Sequence, residues 1–174
     1  ALRPIAEKTL ALGADVPMCL QPFAARIRGI GQEIEFVHGL PNLPAILVTP
    51  LSAVSTPEVF RALDRKVNDA MPQTVPDFTT VESCAEWIGA QRNDLQATST
   101  RLLPAIADVI KAIDTQPGCL LARMSGSGAT CFGIFPDRAS AEAAASAIYE
   151  MPHRWWVQSC ILGGQFGRAM PKIS

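Results

Sequence analysis

The sequence predicts an α+β fold, an antiparallel sheet with helices on one face. Three observations lead there. From residue 44 onward, strand-like and helix-like stretches follow in the order strand, helices, strand, strand, helix, strand, close to a split βαβ pattern. Two adjacent strands in "LLARMSGSGATCFGIF" (residues 120–135) are joined by Ser125-Gly126-Ser127-Gly128. Finally, "HGLPNLP" (residues 38–44) packs one glycine and two prolines into seven residues, a connector signal.

The elements follow in chain order. Residues Ile5 to Leu12 are rich in Ala, Leu, Lys and Glu and favour helix, with Gly13 suited to the position just past its end. Asp15 then precedes Val16-Pro17, and a proline biases the residue before it towards extended backbone. "FAARIRG" and "EIEFV" alternate in polarity with Gly29 and Gly31 between them, which reads as a β-hairpin. The connector then marks a boundary: residues 1–43 are expected to close one domain and residues 44–174 to form a second.

"AILVTP" (45–50) is a short apolar, β-branched run suited to a central strand. In "SAVSTPEVFRALDRKV", Ser55 with Glu58 three residues later fits a capping box, and Pro57 suits a first helical turn. Met71 to Thr80 is polar and contains prolines, so a loop is expected. Helices are expected over Val81 to about Gln91 and over Pro104 to about Asp114, where Ile106, Val109, Ile110 and Ile113 recur at helical spacing. After Gly118 come the two strands around the Ser/Gly loop, an alanine-rich helix in "DRASAEAAASAIYEM" and a last strand in "WWVQSCILGG". At least one of Trp155 and Trp156 is expected to serve the core or an interface.

Composition bounds the function. The chain has 174 residues, 48% of them hydrophobic, with a mean hydropathy of +0.18 that indicates a filled core. A net charge of −1 and a pI near 6.1 give no electrostatic footprint for nucleic acid or anionic lipid. No apolar run reaches the roughly 18 residues of a membrane span. Five scattered cysteines without a C-x-x-C pair, and two isolated histidines, argue against zinc and against a secreted disulfide framework. No metal ligand set is expected from these residues, and a reducing cytoplasm is. The opening "ALRPIAEKTLALGADVP" lacks an initiator Met and reads as helix, so a piece of a larger protein is expected.

Two stretches could carry chemistry. The Ser125–Gly128 loop is neither a nucleophile elbow, which needs G-x-S-x-G, nor a phosphate loop ending in Gly-Lys-Ser/Thr. A strand–SGSG–strand alone is more often a structural turn than a ligand loop. Asp15 is the second candidate. An aspartate there commonly bonds its own turn, or it serves as a rigidly held general base.

"LGADVPMCL", "LVTPLSAVSTPEVF", "RNDL" and "ARMSGSGATCFGIF" occur in one order. Together they resemble the GHMP kinase superfamily, most closely its branch acting on 4-diphosphocytidyl-2-C-methyl-D-erythritol in non-mevalonate isoprenoid precursor synthesis. The resemblance covers essentially the whole chain. It implies a ferredoxin-like C-terminal domain preceded by the tail of an S5-like N-terminal domain. It also implies ATP with Mg²⁺ as cofactors and transfer of the γ-phosphate to the substrate's 2-hydroxyl. Asp15 matches the family's catalytic base. Ile30, Thr56, Pro57 and Phe60 match positions lining the cytidine pocket, with Phe60 stacking on the base. Gly126, Ser127 and Gly128 match the motif that braces the family's glycine-rich phosphate loop.

That phosphate loop and the family's N-terminal lysine do not occur in these residues, and Gln32 stands where a glutamate is usual. The chain is therefore expected to represent the C-terminal half or so of such an enzyme, partnered by its N-terminal half, and alone to be inactive and without measurable ATP binding. In that half Ile5, Leu12, Phe23 and Ile34 are expected to find their apolar partners. Two other readings stay open: a homoserine- or mevalonate-type kinase of the superfamily, or a non-catalytic α+β binding module. The aromatic "STPEVF" pocket favours a cytidine substrate over the former, and the charge balance speaks against a nucleic-acid module.

Overall fold

A computed structural model describes residues 12, 13, 16–19, 23–29, 31 and 33–163. They fall into two compact units, one comprising Pro41–Thr74 with Phe78–Leu162, the other the residues up to Leu40 with Val75–Asp77 and Gly163. The expected helix over residues 5–11 lies outside the described residues.

In the smaller unit, Val16–Cys19 forms a single helical turn, α1. Extended backbone was expected at Val16, and the structure corrects this. Pro17 occupies the first turn, where a missing N–H costs nothing, while the Val16 N–H donates to the Gly13 carbonyl at 3.2 Å. The expected hairpin follows as β1 (Ala25–Arg28) and β2 (Glu33–Phe36), paired antiparallel from Ala25–Phe36 to Arg28–Glu33. Gly29 (φ +65°) supplies the left-handed backbone that the turn requires. Phe23 was expected to find a partner only in a missing half. It meets Phe36 edge-on instead, with ring centroids 5.6 Å apart. Leu12, at 78% exposure, has no such cover.

The larger unit contains β3 (Leu43–Thr49), α2 (Thr56–Arg61), α3 (Val81–Ala90), α4 (Gln96–Leu102), α5 (Ala105–Asp114), β4 (Leu121–Met124), β5 (Cys131–Ile134), α6 (Arg138–Tyr149) and β6 (Trp156–Leu162). The strands form one antiparallel sheet in the order β4-β5-β3-β6. The apolar "AILV" run takes the inner position predicted for it. Side chains alternate across a strand, so Ile46 and Val48 share a face. Against them pack Ile106, Val109 and Ile113 of α5 and Ala141, Ala144 and Ile148 of α6, closed off by Met124, Cys131 and Phe135. Burying each of the larger side chains contributes about 1.5–3 kcal/mol. Trp155 packs partly against this core, whereas Trp156 is 46% exposed.

Glycine decides how closely α5 approaches the sheet. A Cβ on Gly133 in β5 would collide with Cγ2 of Ile113. At the edge strand, Arg123 donates from Nη1 and Nη2 to the carbonyls of Ile88 and Gly89, at 2.8 and 2.9 Å. It thereby adds side-chain donors to backbone acceptors at the end of α3, where the Ile88 carbonyl also accepts from the Gln91 N–H. Two helices start on side-chain caps. Thr80 accepts from the Ser83 N–H at 3.1 Å, and Asp137 accepts from the Ser140 N–H at 2.8 Å. The Ser140 backbone bond holds the Asp137 carboxyl below its ordinary range.

Two local expectations are corrected. Helix α2 has six residues, and its N-cap Ser55 makes no side-chain cap bond, so the capping box does not form. Pro57 in the first turn already removes one of the donors a cap would satisfy. Helix α4 was not expected, because "QATSTRL" has no apolar periodicity.

Candidate functional site

The Ser/Gly loop closes on itself first. The Ser125 N–H donates to the Thr130 carbonyl and the Gly128 N–H to the Ser125 carbonyl, each at 2.9 Å. Its two glycines have different roles. Gly126 adopts φ +54°, yet a Cβ there would meet nothing within 4 Å. Gly128 adopts φ +92°, and a Cβ there would lie 2.8 Å from Met124 Sδ and 3.1 Å from Ile106 Cδ1. One glycine is needed for backbone conformation, the other also for close packing onto the core.

Side chains from three other elements then hold the loop. Asn93, in the linker between α3 and α4, donates from Nδ2 to the Met124 carbonyl at 3.0 Å and the Gly126 carbonyl at 2.9 Å. Its Oδ1 accepts from the Leu95 N–H at 3.0 Å, which fixes the orientation of the amide. Ser99 on α4, fully buried, donates its hydroxyl to the Ser127 carbonyl at 2.8 Å. Thr56, the first residue of α2, places Oγ1 2.7 Å from Ser127 Oγ. Alongside, Thr49 and Thr130 join their hydroxyls at 2.8 Å, and Gln96 Oε1 accepts from the Met124 N–H at 3.1 Å.

Helix α2 is thus tied to the loop at its start. At its other end Arg101 donates to the Ala62 carbonyl at 3.1 Å and lies 3.4 Å from Asp64. Val59 anchors α2 in the core, while Thr56, Pro57 and Phe60 stay exposed, Phe60 at 53%. Thr56 and Phe60 stand four residues apart and share a helix face. The groups converging here are hydroxyls, amides and backbone carbonyls. They can orient a polar ligand and donate hydrogen bonds, but a base for proton transfer has to come from elsewhere.

Of the residues the sequence singled out, the structure brings Thr56 and its neighbours Pro57 and Phe60 together with Gly126, Ser127 and Gly128. Asp15 and Ile30 lie outside the described residues. The roles of Asn93, Gln96 and Ser99 were missed. Asn93 stood inside the noted "RNDL", and an asparagine between two helices, able to bond backbone at a distance, was the available signal. Among the described residues no group of three or more His, Cys, Asp or Glu could hold a metal ion. No helix among them is long and apolar enough to cross a membrane.

Residues 68–153, which include α3 to α6 and the whole Ser/Gly loop, match the family model described as GHMP kinases C terminal. Over residues 68–153 the chain carries a GHMP kinase C-terminal domain. Outside the matched span, the similarity continues over nearly the full chain. A protein of Roseobacter denitrificans named 4-diphosphocytidyl-2-C-methyl-D-erythritol kinase is 47% identical over 168 residues, covering 97% of this chain and 56% of its own length. One of the same name from Dinoroseobacter shibae is 48% identical over 160 residues, covering 92% and 56%. The chain therefore spans little more than half the length of these relatives. A crystal structure of 4-(cytidine 5'-diphospho)-2C-methyl-D-erythritol kinase superposes with a TM-score of 0.65 at 31% identity, covering 89% of this chain and 56% of that one. Homoserine kinase from Cytophaga hutchinsonii, at 17% identity and a TM-score of 0.55, shares the fold. The GHMP kinase C-terminal domain here has the α+β architecture read from the sequence, an antiparallel sheet with helices.

Proposed function

We propose that this chain is the C-terminal part of an ATP-dependent kinase that phosphorylates the 2-hydroxyl of 4-diphosphocytidyl-2-C-methyl-D-erythritol, in non-mevalonate isoprenoid precursor synthesis in the cytoplasm. The observation that carries the reading is identity of 47–48% over 92–97% of the chain to proteins bearing that enzyme's name. In this reading residues 1–43 close the N-terminal domain and residues 44–174 form the C-terminal one. The remaining N-terminal half supplies the glycine-rich cradle for ATP.

The residue roles are those the resemblance implies. Asp15 takes the proton from the attacking hydroxyl. Ile30, Thr56, Pro57 and Phe60 line the cytidine pocket, and the exposure of Phe60 leaves its ring face open for stacking. Gly126, Ser127 and Gly128 brace the phosphate-binding loop. Mg²⁺ accompanies ATP and neutralises charge on the phosphates when bound. Among the described residues no cluster of His, Cys, Asp or Glu could hold it.

The test is an assay of the full-length protein containing this chain, with ATP, Mg²⁺ and the cytidyl substrate. ADP release and a new phosphomonoester at the 2-position, read by ³¹P NMR, are expected. Phosphorylation of homoserine or mevalonate in preference, or no ADP release with any of the three, would refute the proposal.

A further inference from the structure

We propose that Asn93 and Ser99 are positioning residues for phosphoryl transfer, acting through the peptide groups of the Ser125–Gly128 loop. The inference rests on the kinase reading and adds residues that the resemblance does not assign.

Four consecutive carbonyls at this loop are engaged. Met124 and Gly126 are held by Asn93, Ser125 by the Gly128 N–H, and Ser127 by Ser99. A loop that only reversed the chain between β4 and β5 would need the internal bond alone. Here two further elements contribute donors. The Ser99 hydroxyl does so from complete burial, where an unmatched hydroxyl would be costly. In a trans peptide the N–H points opposite to the C=O. Holding the Gly126 carbonyl on Asn93 therefore turns the Ser127 N–H away from Asn93. Holding the Ser127 carbonyl on Ser99 fixes the next peptide plane. Ser127 is left with its N–H direction set and its hydroxyl 2.7 Å from Thr56.

A brace whose groups are already fixed holds the phosphate-binding loop in place without reorganising during the reaction. Misplacement by about 1 Å can cost on the order of 10²-fold in rate. Asn93 and Ser99 touch neither substrate nor nucleotide in this account. They set the direction of the Ser127 groups that, in the kinase reading, brace the phosphate-binding loop.

The test uses the full-length protein. Asn93→Asp keeps the shape of the side chain but loses the Nδ2 donor, and Ser99→Ala removes only the hydroxyl. Each is expected to lower kcat about 10- to 100-fold while KM for the alcohol substrate stays within about threefold. Ser99→Thr, which retains the hydroxyl, should recover most of the rate. Ile148→Val, in the same core but on α6, should lower Tm at unchanged kcat. Unchanged kcat in Asn93→Asp and Ser99→Ala, with Tm lowered as in Ile148→Val, would reduce both residues to structural ones and overturn the proposal.

A second measurement is independent of activity. Backbone ¹⁵N order parameters at Gly126 and Ser127 should fall in Asn93→Asp from about 0.85 towards 0.6, and unchanged values would overturn the proposal. If the unsubstituted protein phosphorylates none of the candidate substrates, the kinase reading fails, and the order parameters still decide whether the two side chains set the loop.

Discussion

Thr56 and Ser127 stand 71 positions apart in the chain, and their hydroxyl oxygens lie 2.7 Å apart. This bond joins the exposed helix α2 to the Ser/Gly loop. It connects the two motifs that the sequence offered separately as substrate-side and phosphate-side.

Removing either hydroxyl should cost little, because the pair is exposed and water replaces the lost partner. The expected signature is coupling. In a double-mutant cycle of Thr56→Val and Ser127→Ala, read by urea unfolding, the interaction energy should be about 0.5–1.5 kcal/mol. Strictly additive effects would mean that the hydroxyls do not meet in solution.

The two glycines of the loop should respond differently to alanine. Gly126→Ala meets open space and bears only the cost of left-handed backbone, about 1–2 kcal/mol. Gly128→Ala bears a similar backbone cost and also drives a Cβ against Met124 and Ile106, adding about 1–3 kcal/mol of overpacking. Thermal unfolding of both variants checks the order. A Gly126→Ala variant less stable than Gly128→Ala would contradict the packing described.

Under the proposed kinase reading, Asp15→Asn should lower kcat of the full-length protein by on the order of 10²- to 10⁴-fold, with a modest change in substrate KM. Phe60→Ala should instead weaken substrate binding by about 1–3 kcal/mol and leave kcat nearly intact. Since Phe60 is more than half exposed, its removal should scarcely move Tm. Steady-state kinetics separate the two roles, and near-full kcat in Asp15→Asn would return that residue to a turn-forming part.

Burial pushes the Cys131 thiol from its ordinary 9.0 up to about 12. The folded protein therefore keeps the proton where the unfolded chain loses it. Its contribution to stability is complete below pH 9 and is lost as pH rises from about 9 to 12, by at most on the order of 1 kcal/mol per pH unit. Unfolding free energies of the protein and of Cys131→Ala, measured from pH 8 to 11, should converge as pH rises. A constant difference would show that the thiol ionises as readily in the folded state.

Much of the architecture was legible because it is written in local signals. The continuous apolar run "AILV" placed β3, the Ile106–Ile113 spacing placed α5, and the paired glycines of "RGIGQ" marked the hairpin turn. What escaped depends on partners far along the chain. Helix α4 has no apolar stripe of its own, and its residues Gln96 and Ser99 are used on the edge of β4 and on the Ser/Gly loop. The role of Asn93 rests on carbonyls 31 and 33 residues away, which no local pattern encodes. Ser55 and Glu58 matched a capping box in spacing, but the pattern ignores that Pro57 lies between them. In the site, residue types identified the loop and α2, whereas the donors that orient the loop emerged only from tertiary structure.

The side chains that grip Met124 bear on the fate of the sheet as well as on the loop. β4 lies at one end of the strand order, where an unpaired backbone would invite a neighbouring chain to add a strand. Gln96 takes the Met124 N–H and Asn93 takes its carbonyl, so a foreign strand docking there would first have to displace two side chains. The same asparagine that holds the loop thus also covers this margin, and a variant lacking it would free the Met124 carbonyl for a docking strand.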